Sequence, residues 1–550
     1  MYKLIEYKKR VLLAFLLLFT SSVLSTESSF EIAPNSFEQI TTHVESIELH
    51  RQERWRLLLH AVTVPQINDP KFLLSEPKFD YKSELLATIE QLLSTENLTS
   101  DHHASCRFPA RKYFIEQELA KHQINVSFPQ ANCTGLKTYI DYVPFEDLEL
   151  VFASSDLNSA TSMMGHIFLK VSGTSSRNNY VEHALSFYNE ITSNNPVKLA
   201  YDGLISGMPG YFLVKPYQAV KHRYIAQEER NLWHYPIKAD EYASQLLRLH
   251  LWELKDIDIR YLFQSYNCAT LTLYILGLIE PAVLNKEDIW VTPIDVVKAS
   301  QQANILDTPS VLLATNWGNM ALPLSVPDQL QPDSSAYLAI GKRAQQTVLE
   351  LGFLPASHKL EYDNRLNGYE SELKMLDLSV LINVDEQSLK LKQLGLYSVT
   401  TLAMNPSKVF NASHFSVGID SVYKSPESTD RYSNLQYYLK LNYGIGLSKR
   451  TLMSTVYTML DMTLATNLSD SYFSLAPRVG MLAYVGDKNK VQFEISRVFN
   501  EINIGQHRTS LSSQWTHYLK GNKVVALKIA TEQSTSFKEK SFMVSFDWLF

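Results

Sequence analysis

From Ala336 to Phe550 the sequence consists of segments of about ten residues in which apolar and polar side chains alternate strictly. The clearest of them places on one face Leu435, Tyr437, Leu439, Leu441, Tyr443, Ile445 and Leu447. A period of two is that of a β-strand with one face in an apolar environment. We count about ten to twelve such strands, which is enough for a closed antiparallel β-barrel.

The last of these segments ends the chain on an aromatic residue. Its apolar side chains are Phe542, Val544, Phe546, Trp548 and Phe550. This strand resembles the last strand of bacterial outer-membrane barrels, so we predict an outer-membrane barrel and a Gram-negative source. The predicted lipid-facing residues of one strand are Leu435, Leu439, Leu441 and Ile445, and its predicted lumen-facing residues are Gln436, Lys440 and Asn442. A soluble β-domain is the alternative.

The N-terminus predicts export from the cytoplasm. Basic residues between positions 3 and 10 precede the apolar run 11–19 (VLLAFLLLF), and small residues follow before Thr26. We therefore predict that residues 1–25 are a secretory signal peptide, because their apolar core is too short for a permanent anchor. The net charge of −6 offers no basic surface, so we expect no nucleic-acid partner.

The sequence has three cysteines. In an oxidising compartment Cys106 and Cys133 can form a disulfide, which leaves Cys268 as the odd thiol. Three reduced and inert cysteines are the alternative. No CxxC or HExxH motif is present, so we expect neither a metal ion nor a cofactor.

The length of 550 residues indicates two or three domains. We predict a helical accessory domain over 26–141, a mixed α/β domain over 142–321, a linker over 322–335 and the barrel over 336–550. Three prolines between positions 323 and 332 mark the linker. The predicted fold class is therefore α+β, with a helical N-terminal region and a C-terminal antiparallel barrel.

Cys268 is the candidate nucleophile. Asn267 is a good helix N-cap, and apolar residues at helical spacing follow it, so Cys268 should lie in the first turn of a buried helix. The positive end of the helix and its free N–H groups lower the pKa of a thiol. The candidate base is His166, which follows Gly165 and opens an apolar strand. A small buried hydrophobe and a structural histidine are the alternatives.

With Cys268 and His166 in view, the middle of the chain resembles the Lnb N-terminal periplasmic domain family. The matching stretches are 151–154 (VFAS), 162–169 (SMMGHIFL), 207–217 (GMPGYFLVKPY), 229–235 (ERNLWHY) and 266–268 (YNC). They cover roughly Tyr142 to Pro281. The resemblance implies a permuted papain-like fold, similar to that of lecithin:retinol acyltransferase-like enzymes, in which a strand histidine precedes a cysteine that opens a helix.

The resemblance implies a catalytic set of Cys268, His166 and His183. In such folds a polar residue on the adjacent strand orients the catalytic histidine, and His183 lies in the next predicted strand. A structural role for His183 is the alternative. The family commonly has an acidic pair where this chain has Asn231 and His234, so a role for those acids does not carry over.

We therefore expect an enzyme of the cell envelope, a thiol acyltransferase or hydrolase that acts on an acyl ester or amide through a Cys–His pair. Lipid, lipoprotein and peptidoglycan all remain open as its substrate, because such a pair serves amides and esters alike. The alternative is a non-catalytic outer-membrane protein whose papain-like domain binds envelope lipid or peptidoglycan. The sequence leaves the oligomeric state open.

Overall fold

The structure is a computed structural model. It describes residues 36–61, 65–67, 69–75, 79–154, 164–190, 198, 201–286, 290–314, 326–365, 370–402, 409–423, 435–451, 453–499, 507–534 and 538–550. The predicted signal peptide, residues 1–25, lies outside the described residues.

The N-terminal region is helical, as predicted. Its helices are α1 (Phe37–Ser46), α2 (Glu53–Leu58), α3 (Tyr81–Leu93), α4 (Ala104–Arg107), α5 (Pro109–Lys121) and α6 (Thr134–Tyr142), with a 3₁₀ turn at Leu49–Arg51. Ser36 and Gln39 form a capping box that starts α1. The apolar faces of these helices share one core, in which Trp55, Ile89 and Phe114 are fully buried.

A disulfide joins Cys106 to Cys133 within this region, with Cα atoms 5.1 Å apart, so the predicted pairing is confirmed. Cys268 remains a free thiol. Closing a loop of this length stabilises the fold by about 3–4 kcal/mol in the chain-entropy model.

The central region is built on a seven-stranded antiparallel sheet. Its strands are β1 (Asp147–Ala153), β2 (His166–Thr174), β3 (Tyr180–Asn189), β4 (Met208–Pro216), β5 (Leu232–Pro236), β6 (Ile259–Tyr261) and β7 (Ser310–Leu312), in the order β6-β4-β3-β2-β1-β5-β7. Its helices are α7 (Tyr217–His222), α8 (Glu241–Glu253), α9 (Cys268–Gly277) and α10 (Pro293–Gln302), with π turns at Asp202–Ser206 and Arg223–Gln227 and 3₁₀ turns at Pro281–Lys286 and Pro327–Gln329. None of the helices that the structure describes is long and apolar enough to cross a membrane.

This sheet presents alternate side chains of each strand to two different layers. One face carries Ile167 and Phe187 and packs on α9 and the N-terminal helices. The other face carries Phe168 and is covered by Tyr224, which belongs to the π turn Arg223–Gln227. A residue's position along a strand therefore decides which layer it contacts.

The C-terminal region is a closed antiparallel barrel. Its strands are β8 (Ser335–Arg343), β9 (Gln346–Leu354), β10 (Ala356–His358), β11 (Glu370–Asn383), β12 (Ser388–Leu402), β13 (Ala412–Tyr423), β14 (Leu435–Arg450), β15 (Ser454–Thr466), β16 (Ser471–Tyr484), β17 (Asn489–Phe499), β18 (His507–Leu519), β19 (Lys523–Ser534) and β20 (Lys538–Leu549). Because β20 pairs with β8 and β9 pairs with β11, twelve strands close the ring, and short β10 pairs with the start of β11. The predicted barrel is confirmed.

Side chains alternate between the outer wall and the lumen of this barrel. Leu439 is 42% exposed on the wall, and Leu511 is 56% exposed. The Asn442 side chain donates to Ser416 Oγ at 2.7 Å and accepts from Thr463 Oγ1 at 2.6 Å. An apolar wall around a polar lumen is the arrangement of a barrel surrounded by lipid.

The chain between β10 and β11 folds into the lumen at the end where β8 starts, which we call the proximal end. Residues 359–365 form this plug. Lys359 Nζ lies 2.6 Å from Asp547 Oδ2, and Lys490 Nζ donates to Leu360 O at 2.5 Å and to Glu370 Oε2 at 2.6 Å. Beyond the plug the lumen keeps a polar cavity of about 610 Å³. The proximal end is therefore filled by the chain itself.

A substitution on the outer wall should cost more than one in the lumen. Leu511 faces outward, and its neighbour Ser512 lines the lumen cavity. A charge at the bilayer midplane costs about 2–4 kcal/mol, so we expect Leu511→Arg to impair assembly far more than Ser512→Arg. The heat-modifiable mobility of the folded barrel on gels measures this, and equal yields of the two variants would contradict the assignment of the wall.

The plug should block ion flow. We expect the native barrel to conduct little, and a glycine-serine replacement of residues 359–365 to conduct well, because it removes the side chains that fill the proximal end. Single-channel recording in planar bilayers measures the difference. The matched control is the same replacement at the turn 467–470, which should leave conductance unchanged. Equal conductance with and without the plug would show that the lumen is closed elsewhere.

Candidate active site

Cys268 is the first residue of α9, as predicted. The Asn267 side chain caps the helix by accepting from the N–H groups of Ala269 at 2.8 Å and Thr270 at 3.0 Å. Its amide nitrogen donates to Phe263 O at 2.8 Å and to Val291 O at 3.1 Å, which fixes the loop before the helix. Asn267 is therefore fully bonded and holds the cysteine in place.

The thiol of Cys268 is almost completely buried, with 7% of the residue exposed. Burial raises the pKa of Cys268 above its usual range. Hydrogen bonds from the Ile167 N–H and from the Tyr261 hydroxyl favour the thiolate and act in the opposite direction, but burial has the larger effect. In this state the thiol is neutral near pH 7.

His166 starts β2 directly after Gly165, which has a φ of +89°. A Cβ at Gly165 would lie 2.7 Å from the Phe152 ring, so only glycine fits there. The Nε2 atom of His166 lies 2.8 Å from Ser186 Oγ, and its ring stacks on Tyr188 with centroids 5.1 Å apart. The imidazole is thus held by the neighbouring strand β3.

The pKa of His166 is lowered to about 3, chiefly by burial and further by the charges of Arg230 and Arg223. Arg230 is fixed beside it, because its guanidinium donates to Ser154 O at 2.5 Å and pairs with Glu228 at 2.9 Å. A neutral imidazole in this position is a poor base for a thiol with a raised pKa.

No hydrogen bond joins Cys268 to His166, although the structure describes both residues. The thiol contacts the backbone of Ile167, and successive side chains of a strand point to opposite faces. The His166 ring therefore lies on the other face of the sheet, beside Phe168 and Tyr224. A direct contact between the predicted nucleophile and the predicted base is therefore absent in this state, and the catalytic pair remains a prediction.

His183 lies away from both residues. It pairs with Val171, five positions beyond His166 on β2, which is about 16 Å along the strand. Its ring packs against Tyr142 with centroids 4.4 Å apart, and burial lowers the pKa of His183. Ser186, not His183, is the residue of the adjacent strand that contacts His166.

The two residues that replace the family's acidic pair are buried and bonded. His234 Nδ1 lies 2.7 Å from Glu149 Oε2, and His234 Nε2 lies 2.9 Å from the Tyr217 hydroxyl. Asn231 Oδ1 accepts from Ala314 N at 2.9 Å. Both ring nitrogens of His234 therefore have partners, and this side chain lies on the face of the sheet that also carries His166.

A chain of buried hydrogen bonds, the relay, starts at Tyr266, two residues before the thiol. The Tyr266 hydroxyl lies 2.6 Å from His60 Nδ1, His60 Nε2 lies 2.8 Å from His250 Nε2, and His250 Nδ1 lies 3.4 Å from Glu253 Oε2. One set of tautomers satisfies every contact: Tyr266 donates to His60, His60 to His250, and His250 to Glu253. Burial lowers the pKa of His250 to about 3 and that of His60 well below its usual value, so both rings are neutral.

The relay continues into the N-terminal helices. Glu253 accepts from the backbone N–H groups of Ala110 at 2.7 Å and Arg111 at 3.0 Å, and Arg111 pairs with Glu84 at 2.9 Å. The side chains of Arg111, Glu84 and Glu253 have no exposed surface. The relay thus connects α3, α5 and α8 to the loop that carries Cys268.

Sequence reasoning missed Tyr261, Ser186 and the relay. The residues that meet there are far apart in the chain, and Tyr266 and His60 are separated by 206 positions. Such positions carry no local motif, and their role appears only when the strands and helices meet. Within the described ranges, no group of three or more His, Cys, Asp and Glu residues could hold a metal ion.

Fold and site together define a cell-envelope protein in which a periplasmic region is joined to an outer-membrane β-barrel. By periplasmic region we mean the N-terminal and central regions together, residues 36–314, which hold the buried thiol. Residues 136–303 match the model of the Lnb N-terminal periplasmic domain and belong to that domain family. Residues 47–118 and 325–549 match two domains of unknown function, DUF7843 and DUF7840. No curated protein matches the chain.

Several solved barrels are similar to the C-terminal region. A loop L8 deletion mutant of OmpT, an outer membrane protein of Vibrio cholerae, is 8% identical over 39% of this chain and 97% of its own, with a TM-score of 0.22. LpxR from Salmonella typhimurium is 11% identical over 40% of this chain and 100% of its own, with a TM-score of 0.26. KdgM porin is 12% identical over 39% of this chain and 99% of its own, with a TM-score of 0.24.

The buried thiol should react slowly with iodoacetamide at pH 7. Because only the thiolate reacts, and burial raises the pKa of Cys268, we expect the alkylation rate to keep rising above pH 9. Mass spectrometry of the Cys268 peptide measures the rate. The control is the denatured chain with its disulfide intact, whose thiol should titrate near 8.5. A lower apparent pKa in the folded chain than in the denatured chain would contradict the prediction.

Breaking the relay should destabilise the periplasmic region. We expect His60→Phe to cost about 2–4 kcal/mol, because it leaves the Tyr266 hydroxyl and the Nε2 atom of His250 buried without partners. Thermal unfolding of the full chain, followed by near-UV circular dichroism, measures the loss. His102→Phe is the matched control, since His102 is exposed in the same helical region. Equal melting of both variants would show that the relay adds no stability.

Proposed function

We propose that this protein is a thiol-dependent acyltransferase or hydrolase of the cell envelope, with Cys268 as nucleophile and His166 as base. The observation that carries the proposal is a free cysteine at the start of a capped helix, in a region whose other two cysteines are bridged. We further propose that residues 142–321 form a domain of the permuted papain-like type. Helix α9 packing on the strands that carry His166 and Ser186 supports this fold.

The proposed chemistry is acyl transfer through a thioester. His166 takes the proton of the Cys268 thiol, and the thiolate attacks the carbonyl carbon of an acyl ester or amide. The bond to the leaving alcohol or amine breaks, that group takes the proton from His166, and the acyl group stays on Cys268. Water or a second nucleophile then releases it and restores the thiol.

Hydrogen-bond donors around the thiol suit the negative charge of such a reaction. The N–H groups of Ile167 and Ala269 and the Tyr261 hydroxyl all favour the thiolate. Donors fixed in a site that excludes water stabilise a developing oxyanion strongly. We therefore assign Tyr261 to the site as a candidate donor.

The state described here is a resting one for this chemistry. His166 is bonded to Ser186 and carries a pKa of about 3, so its ring has to leave Ser186 and turn toward the thiol before it can act as a base. The thiol already contacts Ile167, the next residue along the strand. The required movement includes the backbone beside Gly165, because rotation of the His166 side chain alone leaves the ring on its own face of the sheet.

The test is whether Cys268 becomes acylated. We expect the full chain in lipid nanodiscs to release p-nitrophenolate from p-nitrophenyl butyrate, with a hydroxylamine-sensitive acyl group on Cys268 in the mass spectrum. Cys268→Ala should abolish the adduct, and His166→Gln should slow its formation by about 10²-fold or more. His183→Gln is the matched control and should keep the rate, because His183 lies away from the thiol. A folded chain that never acylates would refute the proposal.

A second candidate function is non-catalytic binding of envelope lipid or peptidoglycan. It is favoured by the neutral thiol and by the hydrogen bond that occupies His166 in this state. In that case Cys268→Ala should bind phospholipid vesicles or peptidoglycan as well as the native chain does. The absence of an acyl adduct together with unchanged binding would select this candidate.

A further inference from the structure

The periplasmic region packs against the outer wall of the barrel at its proximal end. Contacting residues on the periplasmic side are Met164, Leu204, Phe263 and Trp290, and those on the barrel are Ala356, Leu373, Met375 and Val399. Leu373 and Met375 belong to the wall, because Lys374 between them lines the lumen cavity. The contact therefore covers a surface that would otherwise face lipid.

The π turn Asp202–Ser206 lies at the border of this contact. Leu204 packs against the cluster that joins the two regions, whereas Ile205 is 64% exposed and the preceding Tyr201 is 54% exposed. Leu378, three positions beyond Met375 and about 10 Å along β11, is 42% exposed on the wall. The exposed side chains of the turn thus border the lipid-facing wall.

The loop that leads to Cys268 holds this turn in place. Phe263 N donates to Gly203 O at 2.9 Å, and Gln264 Nε2 donates to Leu204 O at 2.6 Å. A Cβ at Gly203 would lie 2.2 Å from the Phe263 ring, so the two segments pack more closely than any other residue allows. The turn is therefore held by the loop that precedes Cys268.

We propose that the π turn is a membrane-contacting element, and that Tyr201 and Ile205 enter the phospholipid leaflet at the proximal end of the barrel. Large apolar side chains at fixed, exposed positions beside a lipid-facing wall are stabilised when lipid acyl chains remove them from water. Tyr201 places an amphipathic ring at the depth of the headgroups. Arg260, exposed and bonded to the carbonyls of Ile205 and Ser206, supplies a positive charge for the lipid phosphate.

The test measures the depth of a fluorescent label at Ile205. Ile205→Cys is made in the Cys268→Ser background, labelled, and placed as the full chain in nanodiscs of phosphatidylethanolamine and phosphatidylglycerol. Tyr180→Cys is the matched control: Tyr180 is 61% exposed and lies at the other end of the β2–β3 hairpin, about 26 Å from His166. Quenchers attached to lipid acyl chains report only contact with lipid.

We expect several-fold stronger quenching at position 205 than at 180, and a similar result for Tyr201→Cys. Equal quenching at 205 and 180 would overturn the proposal. Both substituted side chains are more than half exposed, so folding is preserved, and heat-modifiable gel mobility verifies the barrel. Because the background lacks the thiol, the outcome is independent of whether Cys268 is a nucleophile.

Discussion

The buried relay from Tyr266 to Glu253 and Arg111 is the interaction on which the periplasmic region depends. It brings polar groups from the N-terminal helices, from α8 and from the cysteine loop into the buried core, where they bind one another. Removing one member leaves its neighbours with a desolvation cost of about 1–3 kcal/mol each. The N-terminal helices are therefore part of the support of the cysteine, in addition to any role of their own.

Strand geometry explains why the candidate nucleophile and base are apart in this state. Cys268 contacts the backbone at Ile167, and the period of two sends the neighbouring His166 ring to the opposite face. The face of the sheet that carries His166 is also the more positively charged near this ring, because Arg230 and Arg223 act on it. Burial is the larger cause of the lowered His166 pKa, and the charges of these two arginines lower it further.

The sequence predicted what periodicity and capping encode. The alternating segments predicted the barrel, and Asn267 predicted the start of α9, because both signals are local in the chain. Two features could not be predicted from the sequence. The contact of Ser186 with His166, in place of the predicted His183, depends on the register of β3 with β2, which no local pattern fixes. The sequence did not predict the plug, because a turn between two strands has the same composition whether it folds into the lumen or away from it.

The plug also sets an order on assembly. Lys359 binds Asp547 on β20, and Lys490 on β17 binds the plug backbone, so strands made later in the chain carry the partners of an earlier turn. A ring that closed with the turn outside would leave Asp547 without Lys359 and Tyr362, and would leave Lys490 paired with Glu370 alone. The plug can form these bonds only once β17 and β20 are in place, which ties the filling of the lumen to the last steps of ring closure.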